Sequence, residues 1–350
     1  MSEIKKEILE IQKKINSISG KDRISIMEVC GTHTMSIAKT GIRSLLPENI
    51  RLISGPGCPV CVTPAGAIQS AIDLADSKDF IVATFGDMLR IPGENGSLQD
   101  RRNVKIVYSP LDALDIAKAN PDKETVFLGA GFETTIPLAA AAIMKARSMG
   151  LKNFSVFSMG KTVPAALKLI LQDKDSSIDG LLLPGHVSVI TGRKYFDFLS
   201  REQVPGVISG FKAVEIMTSI LLLVKNIMEG TTPVLNNYKK VVSEEGNKEA
   251  QRILNEVFEA VDADWRGIGN IPSSGLGIRK NWKDFDVLTK YGLSLKNLPE
   301  PEGCLCGSIL MGKALPSMCR YFGKKCTPLN PVGPCMVSSE GTCAAYYKYN

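Results

Sequence analysis

The chain has 350 residues, 44% of them hydrophobic, which is enough for two or three globular domains and excludes an intrinsically disordered protein. Its 42 Lys and Arg against 36 Asp and Glu give a net charge of only +6, with no basic cluster interleaved with aromatic residues, so nucleic-acid binding is disfavoured. The longest aliphatic run, Ile220 to Val224, is too short to span a membrane, and the amphipathic pattern from Ser2 to Asn16 lacks a signal-peptide core. We therefore expect a cytoplasmic protein.

In chain order, short buried runs alternate with helical patterns up to about residue 230. Strands are predicted at 24–29, 50–54, 80–84, 104–108, 125–128, 154–158, 180–183 and 206–209. Helices are predicted at 31–39, 63–75, 111–119, 135–149, 163–171, 191–199 and 214–228. The strands lack alternating polarity, which is typical of parallel sheets covered by helices on both faces.

Two arrangements fit this alternation, two doubly wound parallel sheets or one eight-stranded βα barrel. The turn-rich segment 86–102 interrupts the alternation and favours two sheets. We therefore predict an α/β fold with one domain at 1–140 and a second at 141–235. Beyond these, a long amphipathic helix at 244–261 is predicted to connect to a mainly helical and irregular third domain at 236–350.

Nine cysteines are distributed unevenly along the chain. Cys30, Cys58 and Cys61 lie near the N-terminus, and the other six occupy the last fifty residues. A reducing compartment disfavours structural disulfides, so spaced cysteines indicate metal binding or redox chemistry.

Several reactive residues directly follow predicted strands. They are Cys30, Cys58, Asp87, Glu133, Lys161 and His186. Because the carboxyl ends of parallel strands form the ligand-binding edge of such sheets, we expect these residues to converge on one cleft.

Each of these residues also has a structural interpretation. The Cys58-Pro-Val-Cys61 turn matches the C-x-x-C redox pattern, and its Gly-Pro-Gly approach is not needed by a buried structural pair. Cys30 alone could be a small buried residue, but Gly-Thr-His-Thr after it favours a functional thiol. His33 could cap a helix or bind a ligand, and Glu133 could simply accept hydrogen bonds from loop amides. The Gly-Ala-Gly sequence at 129–131 lacks the rest of a dinucleotide fingerprint, so nucleotide binding is rejected.

The C-terminal cysteines have the spacing Cys304-x14-Cys319-x6-Cys326-x16-Cys343. Zinc sites usually contain short C-x2-C pairs, which are absent here, whereas iron–sulfur clusters accept wider spacings. The sequence therefore favours a [4Fe-4S] cluster held by these four cysteines. Cys306 and Cys335 remain alternative ligands.

Five motifs together resemble the HypD family of hydrogenase maturation proteins. They are Met27-Glu-Val-Cys-Gly-Thr-His-Thr34, Gly55-Pro-Gly-Cys-Pro-Val-Cys61, Gly131-Phe-Glu-Thr-Thr135, Pro184-Gly-His-Val-Ser188 and Met336-Val-Ser-Ser-Glu-Gly-Thr-Cys343. The resemblance covers essentially the whole chain. It implies two related α/β domains and a third domain that carries a [4Fe-4S] cluster.

The resemblance also implies partners and a reaction. Proteins of this family act with the chaperone HypC as the scaffold on which iron(II) acquires two cyanides, delivered through HypE, and one CO. The Fe(CN)2CO unit then passes toward the large subunit of [NiFe]-hydrogenase. By position, Cys30 matches the iron-binding thiol shared with HypC. Cys58 and Cys61 match a dithiol that binds iron or cycles through a disulfide.

Release of cyanide from a thiocyanate requires electrons, which a cluster could pass to the Cys58/Cys61 pair. We expect His186, Glu133 and His33 to orient ligands or protons around the iron. Two other functions remain open. One is a thioredoxin-reductase-like electron-transfer protein without iron at Cys30, and the other is an interaction protein with a structural zinc.

Overall fold

The computed structural model of the chain describes residues 3–20 and 23–349. The strands are β1 (Ile24–Glu28), β2 (Ile50–Ser54), β3 (Phe80–Thr84), β4 (Val104–Ile106), β5 (Glu124–Gly129), β6 (Phe154–Ser158), β7 (Gly180–Pro184), β8 (Gly206–Ser209), β9 (Val234–Asn236), β10 (Phe258–Trp265) and β11 (Gly269–Ile278). The larger helices are α1 (Glu3–Ile18), α2 (Gly31–Thr40), α3 (Ile42–Leu45), α4 (Ala65–Asp76), α5 (Asp112–Ala119), α6 (Ile136–Ser148), α7 (Val163–Gln172), α8 (Gly185–Thr191), α9 (Ala213–Glu229) and α10 (Lys248–Val257). Short helices follow in the last part of the chain, α11 (Val287–Tyr291), α12 (Cys306–Leu310), α13 (Pro334–Val337) and α14 (Thr342–Tyr349).

Nine of these strands form two parallel sheets, which confirms the parallel α/β class. Eight of the nine strands are predicted by the β-α alternation, whereas β9 lies beyond it and is not predicted. The first sheet has the strand order β2-β1-β7-β8-β9, and the second has the order β4-β3-β5-β6. Strands such as β1, β5 and β7 are buried along their whole length because helices cover both faces. Two separate sheets, and not one eight-stranded barrel, are therefore formed.

The two sheets are not consecutive along the chain. β1 pairs with β7, with Ile26 opposite Gly180, so the first sheet combines strands from both ends of the α/β region. The second sheet lies wholly between Phe80 and Ser158. The predicted boundary at 140/141 therefore does not separate the sheets, because β6 pairs with β5 inside the second one. Local periodicity finds strands, but it does not reveal which distant strands pair.

The long helix predicted at 244–261 is wrong. Helix α10 ends at Val257, and the chain continues directly as β10, which pairs antiparallel with β11. Most side chains from Glu259 to Asp264 are exposed, so this part of the hairpin is accessible to solvent on both faces. The single helix predicted at 191–199 is also wrong. The structure has an α-helix that begins at Gly185 and ends at Thr191, followed by a 3-10 helix at Arg193–Ser200.

The described part of the chain forms three hydrophobic cores beneath its helices. One is centred on α1, α9 and the first sheet, and another on α6 and the second sheet. The largest runs between the sheets and includes Cys58, Cys61, Cys306 and Cys335. None of the helices within 3–20 and 23–349 is both long and apolar enough to cross a membrane.

Candidate functional site

A cleft lies where the carboxyl ends of the two parallel sheets face each other. Residues that follow β1, β3, β5 and β7 line it, among them Cys30, Asp87, Thr134, Thr135 and His186, together with Glu340 from the C-terminal region. Its empty volume is about 920 Å³. The expected convergence at the strand ends is therefore seen for Cys30, Asp87 and His186.

Cys30 is positioned by two glycines. It is the N-cap of α2 and has an extended backbone, and the N–H of Gly31 donates to the carbonyl of Gly57 at 3.2 Å. A Cβ on Gly57 would lie 2.5 Å from Cys30 Cα, and one on Gly31 would lie 2.7 Å from Glu340 Cβ. The loop that carries the C-x-x-C motif and the Glu340 segment can therefore approach Cys30 only because both positions lack side chains.

The cleft holds the Cys30 thiol in its protonated form. Burial raises its pKa to about 11, and the negative charge of Glu340 adds to this effect. Glu340 itself accepts a hydrogen bond of 2.5 Å from the hydroxyl of Thr32. Burial and the Glu340 charge also raise the pKa of Asp87. A metal cation bound here would replace the thiol proton and relieve this accumulation of negative charge.

The two histidines stack on the same aromatic ring but differ in exposure. His33 is fully buried, and its ring centroid lies 4.8 Å from that of Phe211. His186 is exposed at the cleft and lies 4.1 Å from the same ring. His33 Nε2–H donates to the carbonyl of Gly210 at 3.0 Å, while its buried Nδ1 has no partner among the described residues. Burial lowers the pKa of His33 to about 4, so its imidazole stays neutral.

Glu133 lies behind the lining of the cleft. Its Oε1 accepts hydrogen bonds from the hydroxyl of Tyr195 at 2.6 Å and from the N–H of Val163 at 2.9 Å. Its Oε2 is buried without a partner among the described residues, and burial raises the pKa of the carboxyl. Tyr195 belongs to the connection between β7 and β8, so Glu133 links the loop after β5 to the other sheet.

The Cys58 and Cys61 thiols do not line the cleft with Cys30. Both are buried, with 3% and 1% of their surface exposed. Cys58 Sγ contacts the hydroxyl of Ser338 at 3.3 Å and accepts a hydrogen bond from the Cys61 N–H at 3.2 Å. The pair therefore faces the C-terminal region, on the other side of its loop.

Cys335 connects this pair to the C-terminal cysteines. Its sulfur lies 2.9 Å from that of Cys306 and is also hydrogen-bonded to the thiol of Cys61. These two hydrogen bonds lower the pKa of Cys335, and the positive charge of Arg266 adds to the effect. The pKa values of Cys306 and Cys61 are raised, by the contact with Cys335 and by burial. In this group, Cys335 is therefore the preferred position for a thiolate.

The C-terminal cysteines surround one apolar cavity with an empty volume of about 350 Å³. Its lining contains Cys304, Cys306, Cys319, Cys326, Cys335 and Cys343. All nine cysteines of the chain are free thiols. No three His, Cys, Asp or Glu side chains in the described residues are grouped tightly enough to share a single metal ion. A four-iron cluster has a different requirement, four thiolates spread around a volume.

Sequence reasoning missed some of these residues and misplaced another. Glu340 and Thr32 were not singled out, although both lie within motifs of the family resemblance. Cys306 and Cys335 were considered only as alternative ligands, whereas in the structure they contact each other and Cys335 also contacts Cys61. Lys161 follows β6 as expected, but it lines a different cavity.

These features define a thiol-rich α/β protein with one cysteine in an inter-sheet cleft and a connected series of thiols behind it. The HypD family model, described as the hydrogenase formation hypA family, matches residues 3–350. The chain therefore belongs to the HypD family of hydrogenase maturation factors.

Curated relatives agree with this assignment. A putative hydrogenase expression/formation protein of Methanocaldococcus jannaschii is 42% identical over 96% of this chain and 95% of its own length. The hydrogenase maturation factor HypD of Cupriavidus necator is 42% identical over 93% of this chain and 90% of its own. The HypD of Escherichia coli is 39% identical over 95% and 91%.

Proposed function

We propose that this protein is a cytoplasmic assembly scaffold for the iron unit of [NiFe]-hydrogenases. In complex with HypC, it holds iron(II) while two cyanides delivered through HypE and one CO are attached. The Fe(CN)2CO unit then passes with HypC toward the hydrogenase large subunit. The main support is the isolated Cys30 thiol, which lines a cleft between two sheets while the other thiols lie elsewhere.

The proposed substrate iron binds at Cys30. Thiolates are soft ligands that hold iron(II) well, and they match the electron-rich iron that cyanide and CO prefer. The pKa of Cys30 is raised to about 11, so the metal itself displaces the proton and the empty site does not hold a free thiolate. The second thiol is supplied by HypC, for which the open cleft leaves room.

Polar side chains around Cys30 act on the ligands of this iron. The hydroxyls of Thr134 and Thr135 and the imidazole of His186 line the same cleft and can donate hydrogen bonds to cyanide nitrogens. His33 and Glu133 act indirectly, since both are buried and hydrogen-bonded to the backbone of surrounding loops. Replacing His186 by Ala should therefore reduce cyanide retention, and unchanged iron loading and cyanide retention would count against this role.

Cys304, Cys319, Cys326 and Cys343 would hold a resident [4Fe-4S] cluster. The fit rests on the donor set, because the cavity wall is apolar apart from cysteine thiols and the Tyr321 side chain. A cluster bound there would supply single electrons. With these four cysteines assigned, Cys306 and Cys335 remain as a separate dithiol, in which Cys335 contacts Cys61.

The two thiol pairs can exchange electrons by thiol–disulfide exchange. The Cys335 thiolate attacks the Cys61 sulfur of a Cys58–Cys61 disulfide, which forms a Cys335–Cys61 bond and releases the Cys58 thiolate. Cys306, once deprotonated, then attacks Cys335 and releases Cys61. Two electrons have moved to the Cys58/Cys61 pair, and the Cys306/Cys335 pair has become a disulfide.

Those two electrons match the requirement of cyanide release. Cleaving the bond between sulfur and carbon in a thiocyanate consumes two electrons and gives a thiolate and a cyanide ion. The dithiol at Cys58 and Cys61 lies on the loop that also packs against Cys30. We propose that it serves this reduction and is not a permanent ligand of the iron.

One observation favours a second candidate function. The connected series Cys58, Cys61, Cys335 and Cys306 would also suit a thiol–disulfide electron-transfer protein that carries no iron at Cys30. Such a protein would not need a separate thiol in the cleft.

Infrared spectroscopy separates the two functions. Protein purified anaerobically with HypC and HypE should show cyanide and carbonyl stretching bands, and the Cys30→Ala variant should lose them while keeping its acid-labile sulfide. The Cys58→Ala/Cys61→Ala variant is the matched comparison, because it should keep the cluster iron but fail to accumulate cyanide. Absence of bands from the wild-type complex would favour the electron-transfer function, and a colourless protein that contains zinc would overturn the cluster assignment.

A further inference from the structure

A second cavity lies between the end of β6 and the β10–β11 hairpin. Its lining includes Ser158, Lys161, Asp262, Asp264 and Asn270, and its empty volume is about 920 Å³. It shares no lining residue with the Cys30 cleft. None of the proposed iron or redox chemistry uses it.

Lys161 is fixed in the wall of this cavity by backbone hydrogen bonds on both sides. Its own N–H donates to the carbonyl of Gly131 at 2.9 Å, and the next residue, Thr162, donates to Ser274 at 2.8 Å. From the hairpin, the N–H of Leu276 donates to Gly160 at 3.0 Å. The position of the Lys161 side chain is therefore set by both the second sheet and the hairpin.

The ammonium group of Lys161 has no direct partner among the described residues. Only 5% of the residue is exposed, and no hydrogen bond or ion pair to its Nζ is found among the described residues. Burial lowers the pKa of Lys161 to about 8, although the charge of Asp264 opposes this effect. A buried cation without a counter-ion is unfavourable, and a bound anionic group would compensate it.

Carboxylates occupy another part of the same wall. Asp264 accepts a hydrogen bond from the Asn270 side chain at 2.9 Å, and Asp262 accepts one from the Ser273 N–H at 2.9 Å. Each bond engages only the Oδ1 atom of the carboxylate. Lys161 and Asp264 therefore influence each other electrostatically across the cavity without forming an ion pair.

We propose that this cavity binds a small zwitterion, with its carboxylate at Lys161 and its ammonium group at Asp264. A simple anion would be repelled by the aspartates, and a simple cation would be repelled by Lys161. Apolar residues, including Phe157 and Leu276, also line the cavity and suit a short aliphatic spacer. This ligand class lies beyond the proposed iron chemistry, and the site does not depend on it.

Calorimetric titration of the full-length protein with ω-amino acids tests the proposal. The probes are glycine, β-alanine, γ-aminobutyrate and ε-aminocaproate, with acetate and methylammonium as the separate halves. At least one ω-amino acid should bind with one-to-one stoichiometry and roughly tenfold or more tighter than either half, because two charge-assisted contacts form together. The dependence on chain length reports the distance between Lys161 and Asp264.

Two variants and one control complete the test. Lys161→Met and Asp264→Asn should each weaken binding by roughly tenfold or more. Lys118→Met is the control, because Lys118 lies outside the cavity and is paired with Asp115 at 3.0 Å, and it should leave affinity unchanged.

Three results would overturn the proposal. They are the absence of binding by any probe below about 10 mM, acetate binding as tightly as the best zwitterion, and unchanged affinity in the Lys161→Met variant. If that variant fails to fold, unchanged affinity in the Asp264→Asn variant, or acetate binding as tightly as the best zwitterion, overturns the proposal.

Discussion

The sulfurs of Cys306 and Cys335 lie 2.9 Å apart, although 29 residues separate them in the chain. Cys335 also contacts Cys61, so a single residue joins the C-x-x-C loop to the C-terminal cysteines. Because thiol–disulfide exchange requires direct approach of two sulfurs, this residue controls whether the two pairs can equilibrate.

Replacing Cys335 by Ser should slow the reduction of an oxidised Cys58–Cys61 pair by roughly tenfold or more, since no neighbouring thiolate remains to attack it. Rapid alkylation followed by mass spectrometry, after a low-potential donor is added anaerobically, measures the rate. Cys30→Ser is the matched control and should leave the rate unchanged, because Cys30 faces the cleft. An unaltered rate in the Cys335→Ser variant would show that electrons reach the pair by another route.

Replacing Glu340 by Gln should lower the pKa of Cys30 and increase its alkylation rate at pH 8. The neutral amide removes the negative charge that opposes thiolate formation, but burial remains the larger cause of the raised pKa. We therefore expect an increase of less than roughly tenfold, equivalent to under one pKa unit.

The pH dependence of alkylation at Cys30, read by peptide mass spectrometry, checks this prediction. Asp87→Asn is the comparison, because it neutralises another carboxyl of the cleft that is not among the groups acting on Cys30. Equal effects of the two variants would contradict a specific action of Glu340.

Replacing Gly57 by Ala should lower the free energy of unfolding by about 1–3 kcal/mol, because the new methyl group would clash with the backbone at Cys30. Gly86→Ala should cost far less, since a Cβ there meets no atom within 4 Å. Urea unfolding of both variants measures the difference. The same clash should also reduce iron loading at Cys30, and equal stability of the two variants would contradict the packing described around that residue.

The Lys161→Met variant should be more stable than the wild type at neutral pH. Folding lowers the pKa of Lys161 from 10.5 to about 8, so the unfolded chain binds the extra proton between these values. The buried ammonium therefore destabilises the folded protein fully below pH 8, and this destabilisation disappears as the pH rises toward 10.5. At pH 7 this pKa difference corresponds to a loss of roughly 3 kcal/mol in the free energy of unfolding of the wild type.

Urea unfolding of both proteins at several pH values between 7 and 10.5 tests this prediction. Ionisation of the cysteines affects both proteins alike, so the difference between them reports Lys161. A stability difference that does not change with pH would show that Lys161 titrates normally in the folded protein.

The sequence predicted eight of the nine strands in the two sheets closely, because each is a short apolar run bounded by turn residues. It did not predict β9, which lies beyond the predicted end of the β-α alternation. It also predicted that Cys30, Asp87 and His186 would share a cleft, since all three follow parallel strands. It did not predict the hairpin at β10 and β11. The apolar residues of α10 keep a helical spacing up to Val257, and β10 begins at the next residue without an intervening turn. Glu340 was missed because its position depends on how the C-terminal region packs against Gly31.

Because β1 pairs with β7, the first sheet can be completed during synthesis only after the second sheet has been made. The second sheet, complete at Ser158, can fold while the first sheet still lacks β7, β8 and β9. Cys30 therefore gains the neighbouring strand end only after Pro184 has been synthesised, and gains Glu340 later still, after roughly 150 further residues. A half-made chain therefore has no completed cleft around Cys30.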